Sequence, residues 1–381
     1  MNIEFAHSPR STVGVEWELA MVDRESGELV NIADQVFHEL RQADGSKHPS
    51  ITSELLQNTL ELVSGVHTTV AGAVADLQGQ LAEVRAVLDP LGVDVMCAGS
   101  HPFSQWFNQI VTDTPRYQKF VERTQWWGRN MMIWGIHVHV GIDDREKVFP
   151  LLHGLLTYYP HLQALSASSP FWAGEATGYA SNRALMFQQI PTAGLPYDLT
   201  SWDEFERYID DLTGTGILTE VNEARWDIRP SPRWGTLEMR ACDGLSTAEE
   251  IGAVTALIQC LTEKMSSDLD SGIPLPKMQP WFVRENKWRA ARFGLDATII
   301  VNPQGEQQPV TLAIRSLVDE LSPVAERMGC LAELYQVNTI LDTGASYQRQ
   351  LRIAESTSGD LRAVVSSLAQ ELRHGLNSPN A

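Results

Sequence analysis

Four short segments of this 381-residue chain alternate in pattern, each presenting acid or imidazole on one face and apolar side chains on the other. In STVGVEWELAMVD (11–23), Val13, Val15, Trp17 and Leu19 alternate with Gly14, Glu16 and Glu18. In Leu60–Val66, Leu60 and Leu62 face one way and Glu61 the other. In Met132–Ile142, Ile136, Val138 and Val140 oppose His137 and His139. In Gly235–Ala241, Leu237, Met239 and Ala241 oppose Glu238 and Arg240. A period of two predicts β-strands, in which residues i and i+2 point the same way, about 6.6 Å apart. If the four strands share a sheet, one face is apolar. The other carries four carboxylates, two imidazoles and a guanidinium. Carboxylates so crowded repel, and some stay protonated unless a cation neutralises them. An oxygen-rich set with an imidazole suits hard divalent ions such as Mg²⁺, with Mn²⁺ as a substitute.

Each segment alone has a plainer reading. Glu-x-Glu also describes the solvated face of an amphipathic strand, and Glu238-Met-Arg240 a cross-strand ion pair. His137 and His139 form a His-x-His that zinc hydrolases also use. A second set is cationic. Arg225, Arg229 and Arg233 recur every four residues in ARWDIRPSPRWG, and Arg183 lies between 167 and 200. Guanidinium groups grip phosphate or carboxylate in bidentate fashion, or make surface ion pairs. Arg284, Lys287, Arg289 and Arg292 make the segment 284–297 basic as well.

Elsewhere the periodicity is helical. Val70, Val74, Leu77, Leu81, Val84 and Leu88 predict a helix over 68–90, stopped by Pro90. Gly92–Ala98 reads as a short strand. Thr114, followed by Pro115, caps a helix running to about Gly128. A helix follows over Arg145–Ser166. Residues 167–200 read as a long loop, the candidate lid. Ser201, with Glu204 three residues on, opens a helix to Leu212. After Ala241 the pattern is helical over 247–269, 281–293, 308–328, 330–341, 345–356 and 359–374. Strands that do not alternate regularly with helices favour an α+β fold with an antiparallel sheet. The length fits a single catalytic domain over 1–381, sheet-bearing to about 245 and helical from about 246.

Composition narrows the partners. Lys and Arg total 29 and Asp and Glu 48, a formal charge of −19. Such a surface repels nucleic acid. Mean hydropathy is −0.18, and the longest run free of charged residues, Val148–Gly174, is broken by three prolines. No membrane span is expected. The opening MNIEFAHSPR has neither a basic n-region nor an apolar h-region, so no signal peptide is expected. Four widely spaced cysteines (97, 242, 260 and 330) fit reduced thiols in a cytoplasmic protein. P-loop, dinucleotide-fingerprint, GxSxG and HExxH motifs are absent.

VGVEWELAMVD, LELVSGVHTTV, WGIHVHVGI, WDIRPSPRWGTLEMRACD and ENKWRAARFGLDA, spread in order over about 11–300, resemble the bacterial carboxylate–amine ligases related to glutamate–cysteine ligase, type 2 branch. The resemblance implies a curved antiparallel sheet flanked by helices, as in glutamine synthetase and guanidino kinases. It implies ATP and Mg²⁺, with Glu16, Glu18, Glu61, His137 and Glu238 as metal ligands and His139 on the same face. Arg240 would face phosphate. Arg183, Arg229 and Arg233 would contact phosphate or substrate carboxylate. Trp17 stands where the branch often has a third glutamate, on the opposite face. The implied reaction phosphorylates a carboxylate such as that of glutamate; an amine such as that of cysteine then displaces phosphate. Two alternatives stay open: a guanidino-type phosphotransferase on the same fold, and a zinc hydrolase using His137 and His139. Self-association stays open too.

Overall fold

The longest of the alternating segments becomes β1 (Val13–Asp23), and its neighbours follow from which faces must be buried. Val13, Val15, Trp17 and Leu19 are almost wholly inaccessible, so β1 has only one register that keeps its apolar row inside. The computed structural model describes residues 2–375. After β1 come helix α1 (Ala33–Glu39), strands β2 (Ile51–Ser53) and β3 (Thr59–Val63), helix α2 (Val70–Leu88) and strand β4 (Val93–Met96). Helices α3 (Pro115–Thr124) and α4 (Trp126–Arg129), strand β5 (Gly135–Gly141) and helix α5 (Val148–Ser166) follow. The chain continues through a small hairpin, β6 (Phe171–Trp172) and β7 (Glu175–Ala176), then helices α6 (Asn182–Phe187) and α7 (Trp202–Gly214), then strands β8 (Ile228–Ser231) and β9 (Thr236–Asp243). Helices α8 (Ala248–Asp270) and α9 (Pro280–Phe293), a second hairpin of β10 (Thr298–Ile300) and β11 (Gln307–Pro309), and helices α10 (Val310–Met328), α11 (Leu331–Thr343), α12 (Ser346–Ser356) and α13 (Leu361–His374) complete it.

The four patterned segments do share one sheet. Its order is β2-β3-β1-β5-β9-β8, with β4 also paired to β1, and every pairing is antiparallel. The register sets Glu18 opposite Glu61, Glu16 opposite His137, and His139 opposite Glu238. Directly opposed residues share a face, so the acids and imidazoles of four strands meet on one side. On the other side α2, α5 and α8 pack on the sheet, and one apolar cluster runs from Ile3 to Leu372. No described helix is long and apolar enough to cross a membrane.

Residues 167–200 are not the single long loop expected. They hold the β6–β7 hairpin and α6, whose cap is Ser181. The backbone N–H groups of Ala180 and Ser181 both donate to the Ala291 carbonyl, which pins this stretch to α9. The helix expected from Thr114 to Gly128 breaks at Gln125, where φ is +51°.

Candidate active site

A cavity of about 650 Å³ opens over the polar face of the sheet. Its floor is Glu16, Glu18, Glu61, His137, Arg229 and Arg240. Its walls come from α3, from the end of α6 and the residues after it (187–191), and from the irregular segment 216–225. The size is that of a small-molecule site.

The floor is tightly coupled. His137 Nδ1 lies 2.7 Å from Glu16 Oε2, and His139 Nε2 lies 3.3 Å from Glu16 Oε1. Burial alone would raise the Glu16 carboxyl. The hydrogen bonds with His137 and His139 outweigh it and hold that carboxyl well below its ordinary range. Burial, reinforced by the Arg240 guanidinium, pushes His137 down to about 4, so its ring is neutral and offers a lone pair. His139 is placed differently: its Nδ1 lies 2.8 Å from Thr236 Oγ1, so both ring nitrogens are engaged within the protein.

Glu18 and Glu61 behave in the opposite way. Burial and the Glu54 charge push Glu18 up to about 7, although Arg183, Arg240 and the Gly135 N–H, 2.5 Å away, favour its ionised form. Burial and then the charges of Glu54, Glu16 and Glu18 push Glu61 well above its ordinary value. These two carboxyls are short of positive charge. Glu238, almost inaccessible, is the reverse. Burial opposes its ionisation, but Arg229 and Arg240 hold it well below the ordinary range. Arg229 Nε donates to Glu238 Oε2 over 2.6 Å and Arg240 donates to Glu238 Oε1. A carboxylate has about four lone-pair sites, so Glu238 keeps room for a further partner.

Two sets of side chains bring ligand atoms within 4.8 Å of one another: Glu16, His137 and Glu238, and Glu18, Glu61 and His137. A single nitrogen lone pair lets His137 complete one set or the other. Carboxylate oxygens with one imidazole are a donor set for Mg²⁺ or Mn²⁺. The shortage of positive charge at Glu18 and Glu61 is what a bound cation would relieve.

The structure does not bring every predicted residue to the cavity. Arg183 sits on α6, only 4% exposed, behind the floor. Its guanidinium lies 3.9 Å from Asp243 and over the Phe187 ring. It acts on Glu18 through the field rather than by facing the cavity. Arg233 is exposed on the turn after β8, over the ring of Trp234, and does not line the cavity. The four-residue spacing of Arg225, Arg229 and Arg233 suggests a shared face. A strand and a turn underlie it instead, so Arg225 and Arg229 reach the cavity and Arg233 does not.

Glu54, Arg116 and Lys119 line the cavity and were not anticipated. Glu54 directly follows β2, and burial raises its carboxyl. Thr52 and Glu54 alternate with Ile51 and Ser53, a signal that three residues of strand are too few to make visible.

Comparisons with known proteins bear on the family and the fold. The family described as "Glutamate-cysteine ligase family 2 (GCS2)" matches residues 12–367. A protein of Leifsonia xyli subsp. xyli named "Putative glutamate--cysteine ligase 2" is 62% identical over 374 residues, covering 98% of this chain and 99% of its own. One of the same name from Clavibacter michiganensis subsp. michiganensis is 57% identical over 377 residues, covering 99% and 98%. Among solved structures, glutamate–cysteine ligase from Francisella tularensis in complex with AMP superposes with a TM-score of 0.67 at 16% identity, covering 97% of this chain and 90% of that one. The bifunctional glutathione synthetase from Pasteurella multocida gives 0.68 at 16% identity, covering 95% of this chain and 52% of the other. At that identity the two structures speak for the fold alone. The helix-flanked antiparallel sheet is theirs as well, and the chain belongs to glutamate–cysteine ligase family 2.

Proposed function

We propose that this chain is an ATP-dependent carboxylate–amine ligase. It joins the side-chain carboxylate of glutamate to the amine of cysteine or of a close analogue. The observation that carries the reading is the convergence of Glu16, Glu18, Glu61, Glu238 and His137 on one sheet face beneath a cavity that also holds arginines. An all-acidic floor would repel both anionic substrates. One occupied by divalent ions and flanked by guanidiniums attracts them.

Glu16 and Glu238 would hold one divalent ion and Glu18 and Glu61 a second, with His137 completing either set. Bound there, such ions offset the charge between a γ-phosphate and a carboxylate that otherwise repel. The protein's own residues do the positioning. Glu238 fixes Arg229 and Arg240 side by side, so that Arg240 can meet a transferring phosphoryl group without reorganising. Arg183 and the Gly135 N–H hold Glu18 in place from behind. Phe187, Ile190 and Pro191 form an apolar rim that limits water at the floor, protecting an acyl phosphate from hydrolysis.

The test is product analysis with glutamate labelled by ¹⁸O in the side-chain carboxylate, ATP, Mg²⁺ and cysteine. The reading predicts amide, ADP and one labelled oxygen in each phosphate released. A phosphorylated product without amide would indicate a phosphotransferase instead. Chelator-sensitive hydrolysis without ATP would indicate a zinc hydrolase. His137 and His139 share no candidate metal set among the described residues, which speaks against that last outcome.

A further inference from the structure

Helix α3 is ten residues long, yet none of its residues is buried. Its main helical neighbour is the four-residue α4. Its ties to the rest of the molecule are polar. Tyr117 OH lies 3.5 Å from both the Ser53 carbonyl and Glu54 Oε2, Arg123 donates to the Ile217 carbonyl, and the Arg225 guanidinium stacks 5.4 Å from the Phe120 ring centre. Tyr117, Phe120 and Val121 are only half-buried, so the helix has little apolar packing to hold it when those contacts open. Its C-terminal link is Gln125, with φ +51° and ψ −119°, a conformation a side chain resists. Such a position stores strain at a pivot.

The inward side of α3 is cationic. Arg116 and Lys119 line the cavity, as does Arg225 across from them. The floor arginines Arg229 and Arg240 are paired with Glu238, whereas Arg116, Lys119 and Arg225 make no carboxylate ion pair among the described residues. Burial and the like charges of Arg240, Arg116 and Arg229 push Arg225 down to about 10, against the pull of Glu223. Glu54 and Glu223 act on Arg116 and Arg225 only at a distance, so these cations have no carboxylate at contact distance and are free to receive an anionic group of a ligand.

We propose that α3 is a ligand-operated clamp, whose Arg116 and Lys119 close with Arg225 on an oxyanion of the bound substrate. The oxyanion is either a phosphate of the nucleotide or the carboxylate of the acid. This rests on the ligase reading for the identity of the ligands, but not for the closure itself. Anion binding supplies the attraction that the helix lacks in packing, and Gln125 is the hinge about which it turns.

Hydrogen exchange of the 115–124 amides in the full chain tests it. It is measured alone, with Mg²⁺ and a non-hydrolysable ATP analogue, with glutamate, and with all three. The clamp predicts exchange at least about tenfold slower with one ligand, which identifies the oxyanion source. In the double variant Arg116→Gln/Lys119→Gln that slowing is lost, and the same ligand's Kd rises by about tenfold or more. Circular dichroism checks that the variant is folded, as the exposure of both side chains predicts. Equal α3 exchange in every state, or unchanged Kd values in the variant, overturns the clamp. Slowing without amide product would uphold the clamp and refute the ligase reading. Amide formation with an unresponsive α3 would do the reverse, and failure of the wild type to bind either ligand counts against both.

Discussion

At the scale of single residues, Glu238 organises the cationic side of the floor. Both its oxygens accept from guanidiniums, and it is 1% exposed. Glu238→Gln keeps the shape and removes the charge, leaving Arg229 and Arg240 without their counter-ion. Breaking such a pair should cost about 3 kcal/mol in denaturant unfolding. Because Glu238 also belongs to the Glu16–His137–Glu238 set proposed to hold a cation, turnover should fall by about 100-fold or more. Arg240→Gln should act differently. It weakens nucleotide use, read as kcat/KM for ATP, by about tenfold or more. Mn²⁺ affinity should stay near wild type, because Arg240 donates hydrogen bonds and cannot ligate a cation. A defect confined to metal affinity would contradict the role given to it.

At the scale of elements, close approach matters as much as charge. Gly135 opens β5 where the backbone meets the buried guanidinium of Arg183. A side-chain carbon there would overlap that group and lie 2.9 Å from the Cys242 carbonyl. Gly135→Ala therefore displaces Arg183 or bends β5, and stability should fall by about 1–3 kcal/mol in urea unfolding. No loss would mean that Arg183 has room to move and does not buttress Glu18. What could be read from the sequence follows the same physics. β1, β5 and β9 are long and have one apolar and one polar face, so Val15, Val138 and Leu237 mark a period of two and the acids and imidazoles between them mark the other face. β8 is hidden because Pro230 lies within it, and β2 because it has three residues. Glu54 therefore passes unnoticed, and Arg233 looks like a partner of Arg229. α6 is one and a half turns inside a stretch rich in Ser, Gly and Pro, too short for helical periodicity to register.

At the scale of the whole molecule, stability should depend on pH through buried histidines that the site does not use. His101 is 1% exposed. Its Nδ1 accepts from the Phe103 and Ser104 N–H groups, and its Nε2 donates to the Gly27 carbonyl. Both nitrogens are satisfied only in the neutral ring, and burial pushes its pKa from 6.5 down to about 3. The unfolded chain takes up this proton below about 6.5 and the folded chain does not. The stabilisation is therefore complete above that pH and is lost progressively as pH falls toward 3. The slope from this one group is about 1.4 kcal/mol per pH unit. His101→Leu should be less stable at pH 7 and yet lose stability less steeply between pH 6 and 4. An unchanged slope by urea unfolding at several pH values would contradict the assignment.

The polar sheet face, as a cation site for a nucleotide-using ligase, is open to direct measurement. Mn²⁺ binding measured by electron paramagnetic resonance, with a non-hydrolysable ATP analogue present, reads this directly. Two ions should bind per wild-type chain, one of them lost in a folded Glu18→Gln/Glu61→Gln variant. If the wild type binds no more Mn²⁺ than that variant, Glu18 and Glu61 hold no cation, and if it binds none, the convergence of carboxylates on β1, β3 and β9 does not serve metal binding; either result contradicts the two-ion floor.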